Sequence, residues 1–254
     1  MNVQLRFTIR RRFCCSVVVL TLAIALIGAP ARRIQANESK VRVAIIGDST
    51  VASYPHPPAD RPDLTGWGQV VGEFFDDQIV VLNHAKSGRS SKSFLREGLW
   101  DKTLAEHPDY VLIQFGHNDC PGKGDRETNP ATDFRDNLRR YITDARKIGA
   151  TPILVTPMTR RQFLGGQIHT ILRPYAEAML VVGDEEHVAV IDLHKASVDL
   201  FNRLGDEGSA YFSPHPSDRT HFSRKGALEL AQIVADGIVR VDSKLGQHRR
   251  AGDN

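Results

Sequence analysis

Val41-Arg42-Val43-Ala44-Ile45-Ile46 runs directly into Gly47-Asp48-Ser49, so that an apolar stretch ends on a serine. The stretch is short, rich in Val and Ile and without polar alternation, as expected of a strand buried on both faces of a parallel sheet. Four further runs share this character: Ile79 to Leu82, Tyr110 to Phe115, Pro152 to Val155 and Val188 to Ile191. Helical spacing lies between and after them. Val70, Phe74 and Phe75 mark one apolar face, and Phe134, Leu138, Tyr141, Ile142 and Ala145 another, before the stop signal Gly149. Pro174 to Val182 supplies a further crossover, and Leu228, Ala231, Ile233, Val234 and Ile238 form the last helix. Five rounds of strand and helix predict a three-layer α/β/α sandwich around a central five-stranded parallel sheet, with right-handed crossovers.

In such a sheet ligands bind beyond the carboxyl ends of the strands, where the strand order reverses. Ser49, Asn83 to Gly88 and Gly116 to Asp119 each follow a strand directly and are therefore expected on one rim. Longer loops at Ser53 to Thr65, Cys120 to Pro130 and Met158 to Thr170 are expected around it.

A serine is a weak nucleophile until a base takes its proton, and the developing oxyanion needs donors already in place. Ser49 stands where its hydroxyl can enter the cleft. Asp218-Arg219-Thr220-His221 offers a carboxylate and an imidazole three positions apart, a spacing that lets the acid meet Nδ1. Gly88 allows a backbone N–H to approach a ligand closely, and the Asn118 amide is a neutral donor. Each element has a plainer use. A serine after a strand also caps helices, Gly88 also suits a turn, and Asp48 is expected to hold its own turn by side chain to backbone bonds. His117 and Asp119 lack a third ligand spaced to join them, so no metal and no cofactor is expected.

The four segments in this order resemble the SGNH, or GDSL-type, hydrolase superfamily. The resemblance implies Ser49 as nucleophile, Asp218 and His221 as the remainder of a triad, and the Ser49 and Gly88 amides with Asn118 as the oxyanion hole. Gly47-Asp48-Ser49-Thr50-Val51-Ala52, Gly66-Trp67-Gly68-Gln69, Asn83 to Phe94, Gln114 to Asp119 and Thr156-Pro157-Met158-Thr159-Arg160-Arg161 narrow it further. Together they look like the rhamnogalacturonan acetylesterase branch, which implies an acetylated polysaccharide or oligosaccharide substrate. Trp67 is expected to stack on a sugar ring or to pack beneath the site. Arg89, Arg160 and Arg161 are expected either to meet an acidic sugar or to be solvated rim charges. A lipase or thioesterase acting on longer acyl chains, and a carbohydrate-binding protein without turnover, are the competing readings. The polar, Pro-rich and Arg-bearing loops argue against the first, and the intact Ser49, Asp218 and His221 against the second.

The chain has 254 residues, 33 Lys and Arg against 30 Asp and Glu, and a formal net charge of +3. The first 36 residues hold six arginines and no acid around an apolar run from Phe13 to Gly28. With small residues at Ala29-Pro30-Ala31 and Ile34-Gln35-Ala36, this reads as a cleaved secretory leader ahead of a catalytic domain over residues 37–254. A retained membrane anchor is the rival, but the run is short of the ~20 apolar residues that a spanning helix needs. Arg10-Arg11-Arg12-Phe13 has the look of a twin-arginine export signal and equally of a strongly basic start. Without the leader, 27 basic residues face 30 acidic ones, a net charge of −3. The basic balance therefore belongs to the leader and offers no argument for nucleic-acid binding. Cys14 and Cys15 would leave with it, and Cys120 alone cannot form an internal disulfide.

Overall fold

In the first strand, β1 (Val41–Ile46), alternate side chains enter different cores: Val43 and Ile45 face one, Ala44 and Ile46 the other. That two-sided burial is why the strand reads as a continuous apolar run. The computed structural model describes residues 40–250, so the leader expected over residues 1–36 lies outside the described part. After β1 the chain forms β2 (Leu64–Thr65), α1 (Trp67–Val70), β3 (Ile79–Asn83), α2 (Ser91–Arg96), α3 (Leu99–Leu104) and β4 (Tyr110–Ile113). Next come α4 (Asp133–Lys147), β5 (Thr151–Val155), the hairpin strands β6 (Phe163–Leu164) and β7 (Gln167–Ile168), α5 (Arg173–Glu185) and β8 (Ala189–Ile191). The last elements are α6 (Leu193–Gly208), β9 (Phe222–Ser223), α7 (Arg224–Val241) and α8 (Ser243–Gly246).

The central sheet is parallel throughout, with the order β3-β1-β4-β5-β8. Its direction of winding reverses between β1 and β4, so the loops after these two strands diverge and leave a crevice between them. On one face α1, α6 and α7 pack with Val43, Ile45, Leu112, Ile153, Val155 and Ile191. On the other, α2 to α5 bring Phe94, Trp100, Tyr141 and Met179 against Ala44, Ile46, Val111, Ile113 and Leu154. Each such fully buried large side chain contributes about 1.5–3 kcal/mol.

The five expected strands are all present, β1 with the expected ends and the other four with one end shifted by one or two residues. Val70, Phe74 and Phe75 do not share one helix. α1 stops at Val70, a 3-10 turn carries Val71–Phe74, and Phe75 is extended at φ −119°. Gly68 and Gly72 favour this break, because glycine lowers helix stability by about 1 kcal/mol per residue. The loop from Met158 to Thr170 contains the β6–β7 hairpin. A two-residue ladder, Leu64 with Ser223 and Thr65 with Phe222, ties the loop after β1 to the start of α7.

Candidate active site

The turn after β1 is built by Asp48. Its backbone carbonyl accepts from the N–H groups of Val51 and Ala52, and its buried carboxylate accepts from the Thr50 N–H at 2.9 Å and the Thr50 hydroxyl at 2.7 Å. His117 Nδ1 lies 3.2 Å from the same carboxylate. Burial alone would raise the Asp48 pKa, but His117 and the Thr50 hydrogen bonds outweigh it and hold the carboxyl below its usual range. Asp48 thus has the structural place expected of it. Gly47 is required by close approach, since a Cβ there would stand 2.8 Å from the Gln114 carbonyl oxygen and 2.8 Å from Val51. The Tyr54 hydroxyl donates to the Ser49 carbonyl at 2.7 Å, and Asn83 donates to the Val51 carbonyl at 2.9 Å. These bonds fix the backbone on which Ser49 stands, 8% exposed.

Across the cleft, Asp218 Oδ1 accepts from the N–H groups of Thr220 and His221, each at 2.9 Å. Its Oδ2 lies 2.9 Å from His221 Nδ1, and His221 Nε2 lies 2.9 Å from Ser49 Oγ. The i, i+3 spacing folds the acid back onto its own imidazole. Burial would raise the Asp218 pKa, yet the hydrogen bonds from the His221 ring and from the two N–H groups hold it far below the ordinary carboxylate range. A permanently ionised carboxylate here fixes the ring and favours the tautomer with Nδ1–H, leaving Nε2 free to accept the serine proton.

The turn that carries Gly88 is joined to both neighbouring loops: the Lys86 N–H donates to the Gly47 carbonyl at 3.0 Å, and Asn118 donates to Arg89, the residue after Gly88. Gly88 has φ +79°, a left-handed conformation that glycine adopts without strain, and its carbonyl accepts from Arg126 at 2.9 Å. Among the described residues the N–H groups of Ser49 and Gly88 have no hydrogen-bond acceptor. Asn118 Nδ2 donates to the Arg89 carbonyl at 3.0 Å, which orients the amide toward this turn and leaves its second N–H available. Asp119 joins the two loops. It is fully buried, accepts from the Ser91 N–H at 3.0 Å, the Ser91 hydroxyl at 2.5 Å and the Thr128 hydroxyl at 3.0 Å, and has its pKa pushed up to about 7 by burial.

The arrangement therefore offers a hydroxyl hydrogen-bonded to an imidazole with a carboxylate behind it, together with N–H donors of Ser49, Gly88 and Asn118 that have no acceptor among the described residues, and such groups suit acyl transfer. Comparison with known proteins agrees. The profile of the GDSL-like lipase/acylhydrolase family matches residues 45–227. The chain belongs to this family. Within it, the rhamnogalacturonan acetylesterase RhgT of Bacillus subtilis is 41% identical over 224 residues, covering 82% of this chain and 94% of the relative. The probable rhamnogalacturonan acetylesterase YesY of the same organism is 39% identical over 202 residues, covering 77% of this chain and 91% of the relative. Among solved structures, that of YxiM from Bacillus subtilis superposes with a TM-score of 0.69 at 27% identity, covering 79% of this chain and 56% of that one. An acetylxylan esterase from Geobacillus stearothermophilus shares the fold with a TM-score of 0.60 at 20% identity, covering 79% of this chain and 94% of that one.

The structure corrects the expected sugar contacts of this GDSL-family chain at Trp67 and Arg161, which are buried. Trp67 is completely buried and donates from its indole to Gln114 at 2.8 Å, so it packs beneath the site and cannot stack on a sugar. Arg161 is 3% exposed and donates to Ser209, Ser213 and Asp206. Ser213 in turn donates to the Asp218 carbonyl at 2.5 Å, which makes Arg161 a brace behind the acid rather than a ligand contact. Arg89 is tied to Glu97 and to the Ser87 carbonyl. Arg160 donates to the His117 carbonyl at 3.1 Å and braces the turn that carries Asn118. Tyr54 and Arg61, whose NH1 lies 3.4 Å from Asp218, are not legible as site residues in the sequence, because a Pro-rich loop has no periodicity that places its side chains.

Proposed function

We propose that this chain is an exported serine esterase that removes O-acetyl groups from polysaccharide, with acetylated rhamnogalacturonan as substrate. The observation that carries the reading is the continuous hydrogen-bonded chain from Asp218 through His221 to Ser49 Oγ, with 2.9 Å at both links. His221 Nε2 takes the Ser49 proton as Oγ attacks the acetyl carbonyl. The oxyanion that forms is received by the N–H groups of Ser49 and Gly88 and by the Asn118 amide. As the tetrahedral intermediate collapses, His221 returns the proton to the departing sugar oxygen and leaves an acetyl-serine. Water, deprotonated by the same imidazole, attacks this ester; collapse frees acetate, and the proton returns to Ser49.

The polysaccharide assignment is supported by the relatives named rhamnogalacturonan acetylesterase, which align along most of their own length. Export is supported by the basic start and apolar run of the first 36 residues. Acetate release across a panel of acetylated polysaccharides tests the substrate. Rhamnogalacturonan is expected to be deacetylated faster than xylan at matched acetyl content, and a preference for xylan would contradict the assignment. Aryl octanoate turned over faster than aryl acetate would favour the long-chain lipase reading instead.

A further inference from the structure

In the chemistry proposed above, the alcohol half of the ester must lie at His221, because Nε2 returns the proton to the departing oxygen. A cleft of about 500 Å³ opens there. Its walls include Asp60, Arg61, Gln162 and Arg219 beside Asp218 and His221, and every side chain lining it is polar or charged. Such walls suit a hydroxylated and charged ligand.

Arg61 is less tied to the protein than Arg89 and Arg161. Arg161 donates from all three of its nitrogens, and Arg89 donates from two and faces Glu97 with the third. Arg61 makes one long hydrogen bond, from NH1 to Asp218 at 3.4 Å, with Nε 3.6 Å from Asp60. Among the described residues its other N–H groups have no protein acceptor, and its side chain is 29% exposed. A guanidinium presents five donors in a fork that matches a carboxylate. Asp218 would keep its three short bonds from His221 and Thr220 if Arg61 turned toward a second anion.

We propose that this cleft is the leaving-group subsite for an acidic sugar polymer, and that Arg61 receives the carboxylate of a uronate residue there. The proposal rests on the polysaccharide esterase reading and adds the residue that selects acidic polymers.

The test compares kcat/KM for acetylated rhamnogalacturonan with kcat/KM for an aryl acetate in the same protein, so that any effect of Arg61 on Asp218 divides out. Wild type, Arg61→Met and Arg61→Lys are measured on the native polymer and on one whose uronate carboxyls have been reduced to alcohols. Arg61→Met is expected to lower the ratio by roughly tenfold to a hundredfold, mainly through KM, with partial recovery in Arg61→Lys. Carboxyl reduction is expected to cost wild type a similar factor and Arg61→Met nothing further. A ratio unchanged in Arg61→Met, or a wild type indifferent to carboxyl reduction, would overturn the subsite while leaving the esterase reading in place. The carboxyl-reduced polymer decides with wild type alone if Arg61→Met does not fold. An aryl acetate cleaved with no acetate released from either polymer would overturn the polysaccharide reading and this subsite together.

Discussion

Ser49 Oγ and His221 Nε2 lie 2.9 Å apart although 172 positions separate them in the chain. The sheet alone does not bring them together, because His221 belongs to no central strand. The link is the short antiparallel pairing of β2 with β9, in which Thr65 is opposite Phe222, the residue after His221. Trp67 then donates its backbone N–H to the Thr50 carbonyl at 3.0 Å, which closes the loop back onto the residue after Ser49. Ser49 and His221 are therefore held from one continuous segment.

Asn118→Ala removes the third donor proposed for the oxyanion without opening the core, since among the described residues the Asn118 amide bonds only to the Arg89 carbonyl. The expected loss is on the order of 10²-fold to 10³-fold in kcat, with KM little changed. Steady-state kinetics on an aryl acetate measure it, and a KM effect with intact kcat would place Asn118 in ground-state binding instead.

Asp218→Asn keeps the size of the side chain but loses the charge that fixes the His221 tautomer. A fall in kcat on the order of 10²-fold to 10⁴-fold is expected. The folded pKa of Asp218 is depressed, so its contribution to stability is present above the unfolded value and is lost only as pH falls through the folded one. The activity profile of the wild type should accordingly show no limb belonging to this carboxylate at about pH 5 or above. A carboxylate-type limb in that range would contradict the bonding described.

Trp67→Phe tests the burial of a residue that the sequence also suited to sugar stacking. The substitution leaves the buried Gln114 Oε1 without its indole partner and should destabilise by about 1–3 kcal/mol. KM for polysaccharide should not change. Denaturant midpoints and KM measured on the same preparation separate the two effects, and an increase in KM at unchanged stability would restore Trp67 to the cleft.

Much of this fold and site is legible in the sequence, for identifiable reasons. The central strands are buried on both faces, so Val41 to Ile46 and its four counterparts announce themselves without alternation. Ser49, Gly88 and Asn118 lie within five residues of the ends of those strands, and a strand end fixes where the loop that leaves it begins. α6 is not legible, because Leu193, Leu200 and Phe201 supply its core contacts among many polar residues and the helical period is diluted. α2 is too short to show a period, although Ser90 is a recognisable cap residue and does accept from the Ser93 N–H. Trp67 and Arg161 mislead for a common reason: a residue type suited to sugar is equally suited to a buried hydrogen bond, and only the surrounding packing distinguishes the two.

Asp119 couples stability to pH in the opposite sense to Asp218. Its folded pKa is raised from 3.8 to about 7 by burial, so its favourable contribution is complete below the unfolded value and is lost as pH rises through the folded one. Asp119→Asn removes that titration and can still accept from Ser91. Its stability relative to wild type should rise between about pH 4 and pH 8, read from denaturation midpoints at each pH. A constant difference across that range would show that Asp119 is ionised throughout.

The central claim, that Ser49 carries the acetyl group, is tested most directly by acetate release from acetylated rhamnogalacturonan by wild type and by Ser49→Ala, with thermal melting recorded alongside. Rapid release by wild type is predicted, with a loss on the order of 10⁵-fold or more in a variant that melts at nearly the same temperature. Substantial release by a folded Ser49→Ala protein would contradict it.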